Sequence, residues 1–313
     1  MASRARIIPD TPPSFPPFPG WARPPAFGEA VDDTDFLAGA ALSALNPIVC
    51  HEHPLGSLWR QRLALACAAA LAWREGRTED EGLLRDHWYH RRDGDDPGPA
   101  GRLLKAWRWL GDRSVMRTAD WELNLAALLA HRFDEALQDV IAFATDQLRG
   151  QGSPVGAAAA VAATSLRFRP DCRPLALWLA DAVLAHRLKW PAPVPLLAAH
   201  LKRGDLRHAA AHGDGDSAWR VACNLAYARG AAVAADLYGD LARRAEKLLE
   251  AAPRLRGKDA DMMVAILLCE DAQPARIGRA ASDRSSRRLF ERLVALGAVR
   301  ELTGRPTFRL YGL

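Results

Sequence analysis

From Asp33 to Ala252 apolar residues recur three and four positions apart, and nowhere in that interval do apolar and polar residues alternate for long enough to make a strand. Alanine and arginine dominate over isoleucine and lysine, which favours helices further. The pattern confines most of the chain to a helical body. It reads as helices over Asp33 to Leu45, stopped by Asn46-Pro47, and over Ser57 to Glu75, with Leu58, Leu65 and Ala72 spaced at sevens. A Thr78/Glu81 capping box opens a helix to His90. Ala100 to Leu110 turns Leu103, Trp107 and Leu110 inward, and Asp120 to Ala130, Asp134 to Arg149 and Val155 to Leu166 follow. Leu175 to Leu188 is apolar nearly all round and is therefore a buried helix. Leu196 to Lys202, Ser217 to Tyr227 and Ala231 to Ala252 complete the body, and no repeat of constant period runs through it.

The body is flanked by two segments of different character. Residues 1–27 hold eight prolines interleaved with Phe15, Phe18 and Trp21. Such a segment forms neither helix nor central strand, and it reads as an extended arm packed on its own protein. At the other end, Arg254 to Leu313 carries 12 basic and 7 acidic residues, which accounts for the whole net charge of +5. A positive excess gathered at one end is an electrostatic footprint for a polyanion.

The C-terminal segment can be read residue by residue. Asp259 to Leu268 is a helix with Met263, Ile266 and Leu267 inward, and Pro274 to Ala280 is a short second helix. Ser282 caps a third, in which Leu289, Leu293 and Leu296, flanked by Phe290 and Val294, form the apolar arc. Arg284, Arg287, Arg288 and Glu291 fall opposite, and Gly297 ends the helix. Ala298 to Leu302 and Thr307 to Tyr311 make a hairpin around Thr303-Gly304-Arg305-Pro306. Helix, short helix, basic helix and hairpin is the order of a winged helix-turn-helix. The expected fold is thus mainly α: an arm over 1–27, an all-helical domain over 28–252 and a winged helix over 253–313, with Pro253 to Lys258 as linker. Arg284, Arg287 and Arg288 would face a DNA groove, and Arg300, Arg305 and Arg309 the flanking backbone.

Catalytic and metal motifs are sparse. The five cysteines form no CxxC pair and read as reduced thiols, and no run approaches the length of a membrane span. A cytoplasmic chain without membrane partners is expected. Cys50-His51-Glu52-His53 lacks the one-turn spacing of a helical zinc site. His87 and His90 lie three apart beside Asp86, with Asp95 and Asp96 in a Gly-Pro loop. No second helix offering further ligands is identifiable, so no cofactor or metal is expected. GxxxxGK[ST], GxGxxG after a strand, GxSxG and HExxH are absent.

Several stretches in combination resemble a bacterial family known as domain of unknown function 1403. They are Trp59 to Leu65, Gly76 to Glu81 leading to Leu84-Arg85-Asp86, and Gly94 to Gly101. With them go Leu179-Ala180-Asp181 to Lys189-Trp190, Pro193 to Leu197, and the end from Arg287 to Leu313. The resemblance implies a family often carried on plasmids and mobile elements, and it implies no reaction and no catalytic residues. The leading functional expectation is a non-enzymatic reader of duplex DNA, with dimerisation or partner binding by the body. A scaffold docking on protein through Leu310 and Tyr311 is the alternative, and a metal-dependent enzyme using His87, His90, Asp95 or Asp96 the third.

Overall fold

Among the described residues, five helices begin on a side chain that accepts a backbone N–H from the turn that follows. The carboxylates of Asp33, Asp80, Asp134 and Asp216 and the hydroxyl of Ser153 do so at 2.8–3.1 Å, supplying partners the helix itself lacks. The computed structural model describes residues 9–26, 29, 31–92, 94–112, 115, 119–213, 216–255, 260–274, 283–303 and 308–313. Among these, the helices are α1 (Thr34–Cys50), α2 (Leu55–Arg74), α3 (Glu81–His90), α4 (Gly98–Leu110), α5 (Trp121–Leu128), α6 (Glu135–Arg149) and α7 (Pro154–Phe168). They continue as α8 (Arg173–Arg187), α9 (Leu197–His200), α10 (Arg203–His212), α11 (Ser217–Ala251), α12 (Ala260–Cys269) and α13 (Asp283–Ala295). The strands β1 (Gln273–Pro274), β2 (Arg300–Glu301) and β3 (Leu310–Gly312) form one antiparallel sheet in the order β1-β3-β2.

α8 is the centre of the body, with every residue from Pro174 to Ala185 buried. α7 packs against it, and its buried alanines, among them Ala158, Ala162 and Ala163, are short enough for neighbouring axes to approach closely. α1 lies along α11, and α2 packs on α4 and α9. Three buried tryptophans tie helices together by their indole N–H as well as by their bulk. Trp59 donates to the Ala234 carbonyl at 2.8 Å, and Trp178 to Ala106 and Trp219 to Ala159 at 2.9 Å each. The proline-rich arm lies on this body: Phe15 meets Tyr238 edge-on at 5.5 Å, and Arg23 makes a two-bond fork to Asp236 at 2.7 and 2.8 Å.

Several local expectations are corrected by packing. α1 runs through Pro47 to Cys50, because Ile48 and Val49 are buried and outweigh the one ladder bond that proline removes. The cap of α3 is Asp80, not Thr78. Segments expected as two helices around Gly230 form the single 35-residue α11. There a β-carbon would lie 3.2 Å from both Leu196 Cβ and His200 Cδ2, so this glycine serves the close crossing of α9 rather than a break. Pro274, expected to open a short helix, sits in β1 opposite Leu310. β1 is an edge strand, where a missing N–H is tolerated. Ser282, Gly304, Arg305, Pro306 and residues 275–280 lie outside the described residues, as do 256–259 of the expected linker. Residues 252–254 form a 3-10 turn that continues α11 directly.

Candidate functional site

The C-terminal helices and sheet are held on the body by a buried polar network centred on Asp271, which has no exposed surface. Its carboxylate pairs with Arg62 of α2, accepts from Arg85 Nε of α3 at 2.9 Å, and lies 3.8 Å from Arg108 Nη2 of α4. Arg62 Nη2 also donates to the carbonyls of Asp271 and Leu313, at 3.0 and 3.1 Å. Gln61 brackets the same turn, donating to Cys269 O at 2.9 Å and accepting from the Asp271 N–H at 3.2 Å. Tyr89 accepts from Arg108 and from the Ala272 N–H, both at 3.2 Å. Only glycine fits at 312, where a β-carbon would sit 2.6 Å from Asp271 O and 3.3 Å from Arg62 Nη2.

On this platform α13 buries Ser286, Phe290 and Leu293, at i, i+4 and i+7. Phe290 stacks on Tyr311 with ring centroids 4.5 Å apart. The apolar arc expected on Leu289, Leu293 and Leu296 is therefore rotated: Val294 and Leu296 are exposed and Leu289 is half-buried. The rotation is set by the aromatic stack, since Tyr311 lies in the central strand and selects Phe290 as its partner. It leaves Arg287, Arg288, Glu291 and Arg292 exposed along one side of the helix. α13 ends as expected: Gly297 has φ +64°, and the Ala298 N–H reaches back to Leu293 O at 3.0 Å.

The remaining arginines are distributed over the hairpin. Arg300 is exposed on β2, and its pKa is lowered by partial burial and then by repulsion from Arg244, Arg62 and Arg85. Arg309 is exposed just before β3 and lies 3.6 Å from Glu301. Arg305 and the side chain of Arg284 lie outside the described residues. The strands are shorter than expected. Leu310 and Tyr311 are both buried, so both faces of β3 are covered, and Phe308 is left 75% exposed at φ +55°. Leu310 and Tyr311 are thus core residues.

The sequence profile of the family described as Protein of unknown function (DUF1403) matches residues 8–313, nearly the whole chain. The chain belongs to the DUF1403 family. No curated protein matches it.

In this DUF1403 protein the two carboxylates considered for metal chemistry are otherwise engaged, whereas His90 Nε2 is buried with no hydrogen-bond partner among the described residues. Asp96 forms a fork to Arg102 and accepts the Gly98 N–H, and Asp95 accepts the Arg92 N–H at 3.2 Å. Both carboxylates hold the loop that precedes α4. Among the described residues two sets of three metal-capable side chains converge, and neither contains His87, His90, Asp95 or Asp96. No helix among the described residues is long and apolar enough to cross a membrane. The sequence reading missed the Asp271 network and Arg292. An arginine four places after Arg288 was the available signal for Arg292. For Asp271, nothing local announces a partner set drawn from α2, α3 and α4.

Proposed function

We propose that this protein binds duplex DNA through its C-terminal unit, residues 253–313 acting as a winged helix-turn-helix on the helical platform of 28–252. The observation that carries the reading is the exposed arginine side of α13, with Arg287, Arg288 and Arg292 spread around Glu291. The order helix, strand, helix, hairpin and the β1-β3-β2 sheet support it, because that arrangement presents the helix before the hairpin at the surface. α13 would enter the major groove, where arginine reads guanine and Glu291 accepts from cytosine N4. Arg300, Arg305 and Arg309 would meet phosphates beside it.

The test is binding of the full chain to random-sequence and selected duplexes across a salt series. Replacing Arg287 and Arg288 by alanine is expected to alter sequence preference, while thermal stability stays unchanged because both side chains are exposed. Replacing Arg309 is expected to weaken all sequences alike. Absence of binding at low salt, or a double variant that binds as the parent does, overturns the reading. Point variants are preferred to a deletion ending at Ala252, which would strip Asp271 from Arg62, Arg85 and Arg108.

A further inference from the structure

The C-terminal half of α10 and the N-cap of α11 bring His208, His212 and Asp216 together, with ligand atoms all within 4.8 Å of one another. We propose that these three side chains form a binding site for a divalent transition-metal ion of the zinc class. His208 and His212 are at i and i+4, the spacing that puts two imidazoles on one side of a helix, and their rings stack with centroids 4.2 Å apart. Gly213 then takes φ +81° and its N–H closes on Ala209 O at 2.9 Å, turning the chain so that Asp216 returns over the end of α10.

Asp216 and His212 are each oriented by a second bond that leaves one atom for a cation. Asp216 Oδ1 is occupied by the Ala218 N–H at 2.8 Å, which directs Oδ2 at His208 Nε2. His212 Nδ1 lies 3.0 Å from the His208 carbonyl. Donation from Nδ1–H to that oxygen makes Nε2 the ring's lone pair, the arrangement that fixes the tautomer of metal-bound histidines. A cation between His208 Nε2 and Asp216 Oδ2 takes the place of the hydrogen these atoms share, and the ring keeps its other hydrogen on Nδ1. Tetrahedral ligands on zinc stand roughly 3.4 Å apart, so small side-chain rotations complete the set. Two imidazoles and one carboxylate suit zinc, cobalt, nickel or copper, whereas calcium and magnesium call for more oxygen ligands. The side chains of His208 and Asp216 keep 40% and 16% of their surface, which leaves a coordination position open to water.

The other convergent set, His131, Asp171 and Cys172, lacks these properties. Both oxygens of Asp171 are bound by the Arg169 fork at 3.0 and 2.9 Å, and burial pushes the Cys172 thiol up to about 12.

The experiment strips the full-length protein with a chelator and titrates it with zinc and, for its visible spectrum, cobalt. One equivalent is expected to bind, with visible cobalt bands of low-coordinate nitrogen and oxygen ligation. Melting should rise by on the order of 3 °C at a hundredfold excess over Kd. His208→Ala and His212→Ala are each expected to weaken binding at least tenfold. Asp216→Asn keeps an oxygen for the Ala218 N–H and serves as the variant that preserves the cap while weakening the metal. His131→Ala and His87→Ala should bind as the parent does. No stoichiometric binding, a double His208/His212 variant with parental affinity, or loss on changing His131 would each overturn the proposal. None of these readouts involves nucleic acid, so the metal site and the DNA reading fail independently.

Discussion

Asp181 and His200 stand at opposite ends of the single turn α9, and their ionisations pull stability in opposite directions. Asp181 accepts the Leu196 and Leu197 N–H groups at 2.9 and 3.2 Å, and burial pushes its carboxyl up from 3.8 to about 7. The folded state therefore holds an extra proton between about pH 4 and 7, and stability falls as pH rises through that window, at up to ~1.4 kcal/mol per pH unit. His200 is lowered from 6.5 to about 4, by burial first and then by Arg229 and Arg74. Here the unfolded state holds the extra proton, and stability rises with pH from about 4 to 6.5. The two slopes largely cancel. Relative to the parent, Asp181→Asn should add a rising slope across pH 4–6.5 and His200→Phe a falling one, read from urea midpoints at each pH. Slopes equal to the parent's in both variants would show that neither group titrates as described. Glycine positions give a second residue-scale contrast. Gly312→Ala places a methyl 2.6 Å from Asp271 O and should cost about 1–3 kcal/mol. Gly239→Ala, inside α11 with no atom closer than Arg243 Nη1 at 3.6 Å, should instead stabilise by about 0.5–1 kcal/mol.

At the scale of elements, the turn between α12 and β1 is the fastening of the C-terminal unit. Asp271 faces Arg62, Arg85 and Arg108. Asp271→Ala leaves these cations buried without their partner and should cost about 3–5 kcal/mol, with hydrogen exchange rising first in α12, β1 and β3. A variant as well protected as the parent would show that apolar contacts alone fasten the unit. α13 shows what one sequence could and could not say about an element. Its existence, its glycine stop and its arginine-rich side were legible from a period of 3.6 and a left-handed cap. Its rotation was not, because Leu289, Phe290, Leu293, Val294 and Leu296 form an apolar arc broad enough to be buried along either margin. The stack of Phe290 on Tyr311 chose the margin. α10 is the opposite case: its His208 and His212 spacing was in plain view, but the helix carrying it is short and polar and gave no strong periodic signal.

Across the whole molecule one apolar core runs from Leu37 to Leu313, while the net charge is segregated to the C-terminal fifth. Charge on that scale governs association rather than folding. If about five phosphates are neutralised, log affinity for DNA should fall with log salt at a slope near −4.5; a flat salt dependence would remove the charge segregation as its cause. The sequence by itself determined the helical class, the proline arm, the basic C-terminus and the family, because composition, periodicity and turn residues act over short stretches of chain. Only the tertiary structure decided that Gly230 admits a crossing helix, that Asp271 gathers three arginines from α2, α3 and α4, and that Asp216 returns to two histidines. Each of those depends on which distant segment covers a given face, and local periodicity states that a face is buried without naming what buries it.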